Sequence, residues 1–266
     1  MALGVATAVP NPVCRTKRRV LVLGGWSPGP LDLLRSRFRS EADFEEPTIP
    51  MPPAGLRWCL NPFWALLILY AVVVLPLLMD AAASWTSSES FVWLIRVAVL
   101  VGSLAVGRLL VAGLVWFAIR DAMRVACGAI RSFEPDVLVG FSWGGGIACW
   151  LLARRSWSGP TILLAPTVMA MASLQCTALP KLPSSPQSQP VHVFHADFDG
   201  FCPESQAREL RAAGCEVHVY QDNHVLCDRD TVEGITRCLR QLFSAGRTDE
   251  RSDGGYGGTN TATPAE

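Results

Sequence analysis

The sequence predicts an α/β fold: a mostly parallel β-sheet, covered by helices on both faces, with an inserted hydrophobic helical hairpin. Three observations lead to this prediction. Short apolar runs rich in β-branched residues alternate along the chain with segments of helical periodicity. These short runs are apolar throughout, which is typical of parallel strands buried on both faces. Half of the 266 residues are hydrophobic, and the excess is concentrated between residues 60 and 119.

The predicted elements follow one another in a regular order. The first strand is RRVLVLGG (18–25), and the segment after it has leucines at helical spacing. A helix is also predicted for DAMRVACGAIRSF (121–133). The remaining strands are PDVLVGF, PTILLAP, VHVFHAD and EVHVYQD, and the helices beside them are GGIACWLLARR, PESQARELRAAG and DRDTVEGITRCLRQLF. Strands that alternate with helices in this way predict a parallel sheet.

These elements divide the chain into four parts. Residues 18–56 and 120–243 form the predicted α/β domain, and residues 57–119 form a transmembrane helical hairpin inserted into it. The N-terminal segment 1–17 and the tail 244–266 are predicted to be disordered, and the tail almost lacks aliphatic residues.

Composition argues against two classes of function. Lys plus Arg equals Asp plus Glu, at 23 each, so no excess of positive charge indicates a nucleic-acid partner. The nine cysteines include no CxxC pair and no clustered spacing, which argues against a disulfide framework or a zinc site and indicates a reducing compartment. Neither a metal nor an organic cofactor is expected.

The most informative motif is GFSWG, residues 140–144, which lies between a predicted strand and a predicted helix. It fits the pattern G-x-S-x-G, in which a serine on a sharp strand-to-helix turn exposes its hydroxyl group. Small neighbours allow the strand and the helix to approach each other closely. Ser142 is therefore the predicted nucleophile, and the alternative is that the glycines serve packing alone.

A nucleophilic serine needs a general base, and the four histidines are the candidates. His192 and His218 lie inside predicted strands and are interpreted as core or edge residues. His195 ends its strand. His224 lies in the loop directly after the last predicted strand, where the base of such a site is required. His224 is therefore the predicted base.

The acid that orients the base has two candidates, Asp197 and Asp199, which both follow the end of the strand VHVFHAD. Here the chain resembles the α/β-hydrolase superfamily, in which this stretch often reads H-G-x-x-D-x-x-V-P. HADFDGFCP matches that pattern except that Ala196 and Cys202 stand in place of glycine and valine. The resemblance covers the predicted α/β domain and implies that Asp199 is the acid, in the chain order serine, aspartate, histidine.

The resemblance also implies a group of backbone N–H donors that binds an oxyanion. The first donor is the N–H of Trp143, where the helix after the nucleophile begins. The family usually has an HG or HGGG motif after the first strand, but this chain has LGGWSPG. This chain lacks the histidine of that motif, so the resemblance implies that only a backbone N–H, that of Gly25 or Trp26, serves as the second donor. With the serine, histidine and aspartate, these groups imply acyl transfer through an acyl-enzyme.

Two stretches of the insert are long and apolar enough to cross a bilayer. Residues 60–79 carry no charge, and residues 91–119 carry only Arg96 and Arg108. About twelve Val, Leu and Phe residues each contribute about −0.3 to −0.6 kcal/mol to the free energy of membrane insertion. Their sum outweighs the cost of a central arginine, about +2.5 to +3.5 kcal/mol. Small residues at 98, 102, 103 and 107 predict close packing of the two helices.

The alternative to a transmembrane hairpin is a lid of two buried helices over the active site, as in a soluble lipase or esterase. Against it, lid helices keep a polar face, and residues 60–79 have none. The loop between the two stretches carries Asp80 and Glu89 and no basic residue, whereas Arg57, Arg120 and Arg124 lie on the outer flanks. Both ends of the hairpin, and therefore the catalytic domain, are predicted to face the cytosol.

Arg108 carries a separate hypothesis, because a charge at membrane depth usually faces a partner or a water-filled cavity. Either it pairs with an acidic group on another subunit, or its side chain extends to the membrane interface.

Together these features predict a membrane-anchored serine hydrolase. Its expected partners are the lipid bilayer and a small-molecule or lipid ester or thioester, with an acylated protein as a further possibility, and no nucleic acid. The alternative is a hydrolase-fold protein without catalysis that serves as a scaffold or binding module at a membrane. The presence of Ser142, Asp199 and His224 at matching places argues against this alternative.

Overall fold

The computed structural model describes residues 17–51, 68–84, 89–182 and 190–252, and it confirms the predicted α/β class. Six parallel strands form one sheet in the order β2-β1-β3-β4-β5-β6. The strands are β1 (Arg18–Leu23), β2 (Ala42–Glu45), β3 (Val137–Phe141), β4 (Thr161–Leu164), β5 (Val191–Ala196) and β6 (Glu216–Tyr220). Their carboxyl ends meet at one edge of the sheet, where ligands of open α/β sheets bind.

Helices cover both faces of this sheet. They are α1 (Leu31–Arg37), α2 (Leu75–Ser84), α3 (Glu89–Phe133), α4 (Trp143–Ala153), α5 (Val168–Gln175), α6 (Glu204–Ala212) and α7 (Arg229–Ser252). Leu21 and Leu23 of β1 pack with α3 to α6 in one core, and Val20 and Val22 pack with α1 and α7 in the other. Because successive strand residues enter opposite cores, the central strands β1, β3 and β4 are mostly apolar.

One strand was not expected from the sequence. β2 (ADFE) pairs with β1 at the edge of the sheet, in a register that places Arg18 opposite Ala42. Ala42 is the one buried residue of its four, so β2 lacks the apolar run that marks the other strands. Acidic residues on an edge strand oppose pairing with the edge of another chain.

The largest difference from the sequence prediction is the length of α3. The sequence suggests a hairpin helix over 91–119 and a separate domain helix over 121–133, but one helix runs from Glu89 to Phe133. No proline interrupts this stretch. The second half of α3 belongs to the α/β domain, and its residues in the first core are Leu114, Val115, Ala118, Ile119, Ala122, Met123, Ala126 and Ala129. The helix thus passes through the predicted boundary between residues 119 and 120 without a break.

The first half of α3 is exposed although it is apolar. Leu94, Val101, Leu104 and Leu109 each expose more than half of their surface, between 59% and 69%. Among the described residues, α3 is the one helix long and apolar enough to cross a membrane. Its most apolar window of 18 residues has a mean hydropathy of 2.2 and is only 11% buried. Exposed apolar surface of this extent indicates an interaction site.

The first predicted membrane stretch, 60–79, is described from residue 68 onward. It forms a π-helical turn (Tyr70–Val74) that continues into α2. Pro76 explains the turn, because proline has no N–H and its ring would clash with the carbonyl of Val72 in a regular helix.

One of the small residues predicted to pack against the first stretch does so. Ser103 is buried, and its hydroxyl group lies 2.8 Å from that of Tyr70. No described atom lies within 4 Å of a Cβ added to Gly102 or Gly107. Residues 60–67 of the first stretch lie outside the described residues, so close packing at these two glycines stays a prediction.

Arg108 is held by the α/β domain itself. Its guanidinium group donates to the carbonyl of Leu174 at 2.6 Å and to that of Ser173, at the end of α5. The last carbonyls of a helix lack partners within the helix and attract a cation. In the described part of the chain, the partners of Arg108 are therefore backbone carbonyls of the same chain.

The last helix is longer than the sequence suggests. α7 continues to Ser252, although disorder is predicted from residue 244. Residues 1–16 and 253–266, which make up most of the two segments predicted to be disordered, lie outside the described residues.

Candidate active site

Ser142 lies at the sharp turn between β3 and α4. Its backbone has φ 51° and ψ −115°, a conformation that residues other than glycine rarely adopt. Its N–H donates to the carbonyl of Leu164 at 2.9 Å. Its carbonyl accepts the N–H groups of Gly146 at 3.0 Å and Thr167 at 3.1 Å. The neighbouring elements therefore hold the serine in a strained backbone conformation.

Glycines allow the first strand and its loop to approach this turn. A Cβ added to Gly144 would collide with the carbonyl of Leu23, the last residue of β1. A Cβ added to Gly25 would lie 2.6 Å from the Cβ of Ser142. Both contacts are closer than a real Cβ allows. The loop after β1 can therefore approach the serine only with glycine at these two positions.

His224 joins Ser142 and Asp199 in one chain of hydrogen bonds. Its Nε2 lies 2.8 Å from the Oγ of Ser142, and its Nδ1 lies 2.7 Å from the Oδ2 of Asp199. The three residues follow β3, β5 and β6, so the parallel sheet brings them together at its carboxyl edge. With Nδ1 donating to the carboxylate, Nε2 is the nitrogen that accepts the proton of the serine hydroxyl group.

Asp199 is buried and its carboxylate is fully hydrogen-bonded. Oδ1 accepts the N–H groups of Phe201 at 2.8 Å and Cys202 at 3.0 Å, while Oδ2 faces His224. Burial alone would raise the pKa of Asp199. The hydrogen bonds from His224 and from the N–H of Phe201 outweigh burial and hold the pKa below its ordinary value. Asp199 is therefore ionised at neutral pH.

The second candidate acid, Asp197, has a different partner. Its Oδ1 accepts the N–H of Asp222 at 3.2 Å. Asp222 supports the loop that carries His224, because its carboxylate accepts the N–H groups of Asn223 at 2.7 Å and Asp228 at 2.9 Å. Sequence reasoning did not identify Asp222. The signal that could have found it is an aspartate at the start of a loop, where its side chain commonly binds backbone N–H groups.

The remaining histidines lie in strands and outside this chain of hydrogen bonds, as the sequence suggests. His192 and His218 approach Glu216 at 3.2 Å and 3.4 Å, across β5 and β6. His195 is buried at the end of β5. Burial lowers the pKa of both His195 and His192, which favours their neutral forms.

Two groups of described side chains bring possible metal ligands within 4.8 Å of one another. In the cluster around Glu216, the carboxylate already pairs with both imidazoles. The other group is Asp199, Cys202 and His224. The Cys202 thiol donates to two backbone carbonyls after β4, both at 3.2 Å, and burial raises its pKa. A protonated thiol is a poor metal ligand, so this group favours proton transfer over metal binding.

The start of α4 and the loop after β1, which carry the predicted oxyanion donors, lie beside the serine. Trp143 begins α4, so its N–H has no acceptor within the helix. The carbonyl of Gly24 accepts the N–H of Gly144 at 3.1 Å. The carbonyl and N–H of a trans peptide point in opposite directions, so the N–H of Gly25 points away from the start of α4. Of the two residues proposed for the second donor, Trp26 fits better.

A cavity of about 500 Å³ opens beside Ser142 and His224. This volume lies within the range of about 300–1,000 Å³ that small-molecule sites occupy. The walls are mostly apolar. α3 contributes Val111, Leu114 and Val115, and α5 contributes Ala170, Met171 and Leu174. Trp26, Trp143 and Phe201 are the aromatic lining residues, and Ser27 and Thr167 are polar ones.

The wall formed by α5 and the polar residue before it were not predicted from the sequence. α5 was not predicted, although Val168, Met171 and Ala172 have helical spacing. Thr167 precedes α5 and lines the cavity. Its Oγ1 is buried and has no hydrogen-bond partner within the described part of the chain. A buried hydroxyl group without a partner is a candidate for contact with a ligand.

Comparison with known proteins gives similarity to solved structures only. No family model and no curated protein matches the chain. The ydeN gene product of B. subtilis is 12% identical, with 86% of this chain and 100% of that chain covered and a TM-score of 0.48. Esterase PE8 is 16% identical, with 85% and 93% covered and a TM-score of 0.45. The α/β hydrolase MGS-M1, from a deep-sea metagenome library of the Medee basin, is 16% identical, with 85% and 84% covered and a TM-score of 0.44. Because these TM-scores lie below 0.5, the function has to be inferred from the geometry of the site.

Proposed function

We propose that this chain is a membrane-anchored serine hydrolase that cleaves an ester or a thioester through an acyl-enzyme on Ser142. The observation that carries the proposal is the chain of hydrogen bonds from Ser142 through His224 to Asp199. The strained backbone of Ser142 supports it, because strain of this kind is concentrated at functional sites. The cavity beside the serine provides room for a substrate.

The first half of the reaction forms the acyl-enzyme. His224 takes the proton of the Ser142 hydroxyl group as its oxygen bonds to the carbonyl carbon of the substrate. The negative charge on the carbonyl oxygen is stabilised by the N–H groups of Trp143 and Trp26. The carboxylate of Asp199 stabilises the imidazolium that forms. The tetrahedral intermediate then collapses, and His224 gives the proton to the departing alcohol or thiol.

The second half releases the acid product. A water molecule takes the place of the leaving group, and His224 accepts one of its protons as the oxygen attacks the acyl carbon. Collapse of the second tetrahedral intermediate returns the proton to Ser142 and releases the carboxylic acid. No residue of the chain is consumed in this cycle.

The first half of α3 supports the proposed membrane anchor. The nineteen residues 89–107 precede the point at which Arg108 binds the domain. At about 1.5 Å per residue they extend about 28 Å, close to the thickness of about 30 Å of a bilayer's hydrocarbon core. Arg96 lies within this span, and its guanidinium group lies 5.9 Å from the centre of the Trp93 ring. Its long side chain therefore extends toward the end at which α3 begins, where aromatic residues commonly meet the interface.

The soluble alternative, a lid of two buried helices, is less well supported. A lid helix buries its apolar face against the domain, whereas the most apolar window of α3 is 11% buried. Alkaline carbonate extraction of membranes that contain the full chain separates the two possibilities. We expect the chain to stay in the membrane pellet, and release into the soluble fraction would contradict the proposed anchor.

A fluorophosphonate probe tests the proposed chemistry directly, because it reacts with activated serines. We expect the detergent-solubilised parent to be labelled, Ser142→Ala to lose labelling, and His224→Ala to be labelled much more slowly. Ser132→Ala and His218→Ala serve as matched controls outside the site and should be labelled like the parent. A folded parent that is never labelled would contradict catalysis and favour the scaffold alternative.

A further inference from the structure

We infer that the cavity beside Ser142 binds the acyl chain of a lipid ester that enters from the bilayer along α3. This inference rests on the proposed function, since it names the substrate of the same serine. The acyl chain would lie between α3 and α5, with its carbonyl carbon at the serine hydroxyl group. The alcohol part of the lipid would remain at the membrane interface.

The chemistry of the cavity walls is the first argument. α3 and α5 line two sides of the cavity with aliphatic side chains and one methionine, and the mouth carries aromatic rings. His224 is the one titratable side chain among the lining residues. A substrate with a charged or strongly polar acyl part would be left without partners in such a cavity, which is costly. An alkyl chain gains free energy there, at about 0.8 kcal/mol for each buried methylene group.

The position of the cavity along α3 is the second argument. Val111 is the first residue of α3 that lines the cavity, and it lies three residues, less than one turn, after Arg108. The large aliphatic side chains that α3 exposes end at Leu109, just before the cavity begins, and the exposed large hydrophobic residues beyond it are the aromatic Trp116 and Phe117. Leu104 and Leu109, which are 66% and 69% exposed, lie on the approach. One helix therefore provides both the proposed membrane contact and a wall of the cavity.

The rim of the cavity is the third argument. Trp26, Leu174 and Phe201 line it and are also 59%, 43% and 58% exposed. Phe198 and Val225, in the loops that carry Asp199 and His224, are 76% and 39% exposed. Exposed aromatic and aliphatic residues around a mouth indicate contact with an apolar surface. A lipid can then pass from the bilayer to the cavity without exposing its chain to water.

Arg108 acts as a positioning residue in this arrangement. Its guanidinium group binds the carbonyls at the end of α5 and so joins the two helices that form the cavity walls. The charge also limits how deeply α3 is inserted, because arginine is unfavourable within the hydrocarbon core. The mouth is thereby held at the level of the membrane interface.

The test uses the full chain reconstituted in phosphatidylcholine vesicles with two probe esters, p-nitrophenyl acetate and p-nitrophenyl palmitate. We expect kcat/KM for the palmitate to exceed that for the acetate by at least about tenfold, since the long chain alone uses the cavity. Val111→Trp fills the cavity and should lower kcat/KM for the palmitate by about tenfold or more, with little effect on the acetate. Phe117→Trp is the control on the same helix, at an exposed position outside both the lining and the approach, and should resemble the parent.

A second variant fills the cavity without any change in α3. Ala170→Trp enters the cavity from α5 and should have the same selective effect. Equal kcat/KM for both esters, or an equal loss on both esters in the filled variants, would overturn the inference. Fluorophosphonate labelling of every variant is measured in parallel. A folded parent that the fluorophosphonate does not label would instead overturn the proposed function.

The vesicles also distinguish the source of the acyl chain. We expect the parent to release free fatty acid from palmitoyl-labelled lipid embedded in the vesicles. Cleavage of a soluble palmitoylated peptide without cleavage of the embedded lipid would overturn the bilayer route and identify an acylated protein as the substrate.

Discussion

The guanidinium group of Arg108 in α3 donates a hydrogen bond to the carbonyl oxygen of Leu174 at the end of α5, at 2.6 Å. An arginine within the most apolar helix of the chain is therefore tied to the α/β domain. The contact marks the point at which α3 passes from an exposed apolar surface into the hydrophobic core, of which Leu114 is the first buried residue on this helix.

Arg108→Leu removes this contact, and we expect a modest loss of stability. A cation at the end of a helix contributes about 0.3–1 kcal/mol, so the free energy of unfolding should fall by that amount. Arg108→Lys should restore part of it because the charge is kept. Denaturant unfolding in detergent measures the change. Dissociation of an oligomer, without a change in the stability of the subunit, would instead indicate a partner on another subunit.

Asp199→Asn removes the carboxylate that faces His224. We expect kcat to fall by about 10⁴-fold, because an amide at this position no longer stabilises the imidazolium or the required tautomer. Asp197→Asn is the matched control, since Asp197 binds the backbone of Asp222 instead. The measurement is the steady-state rate with p-nitrophenyl esters. A large loss in Asp197→Asn with little loss in Asp199→Asn would contradict the assignment of the acid.

Gly25→Ala should disturb the serine although it adds only a methyl group. The added Cβ would lie 2.6 Å from the Cβ of Ser142, so the turn or the β1 loop must move. Forced contacts of this kind cost about 1–3 kcal/mol, and the donor N–H of Trp26 would move with the loop. We expect slower fluorophosphonate labelling and a lower Tm.

Gly128→Ala is the control for this change, because no described atom lies within 4 Å of a Cβ added to Gly128 in α3. It should be labelled like the parent and be at least as stable, since alanine favours helix. Similar behaviour of the two variants would show that the loop tolerates the methyl group.

Thr167→Val tests the buried hydroxyl group of a residue that lines the cavity. The Oγ1 of Thr167 has no partner within the described part of the chain, so replacing it by a methyl group should leave stability unchanged or raise it slightly. If the hydroxyl group binds the substrate, kcat/KM should fall by about tenfold, which corresponds to one hydrogen bond of about 1.4 kcal/mol. Unfolding and steady-state kinetics are measured on the same sample. Unchanged kinetics would exclude a role in binding.

Stability should decline in mild acid because of buried histidine. The pKa of His195 is lowered by burial from its ordinary value of 6.5, so the unfolded chain takes up a proton there before the folded chain does. Acidification below about pH 6.5 therefore favours unfolding, by up to about 1.4 kcal/mol per pH unit for each such group. His195→Gln should reduce the slope of unfolding free energy against pH. An unchanged slope would assign the effect to other groups, such as His192, whose pKa is also lowered by burial.

Asp199 should not contribute to that decline. Its pKa is lowered in the folded state, so the stabilisation it provides is present above its ordinary value of 3.8 and is lost only as the pH falls through the folded value.

The fold class and the strand-to-helix turn at Ser142 could be predicted because their signals are local. Apolar runs and helical spacing are properties of neighbouring residues, and GFSWG contains its strand end, turn and helix start within five residues. The ends of the predicted strands indicated His224 and the two candidate acids, Asp197 and Asp199, and the choice of Asp199 came from the family resemblance. β2 was not predicted because it has no apolar run, and α5 was not predicted because it is short.

Contacts between distant residues were decided only by the tertiary structure. The sequence left Asp197 and Asp199 both open from the residues alone, and the structure places Asp199 against His224, 25 positions along the chain. The same is true of Arg108 and Leu174, which are 66 positions apart. The sequence by itself determined which chemistry each segment carries. Packing decided which segments meet, because hydrogen bonds and buried surface between distant segments form only once the sheet and its helices have assembled.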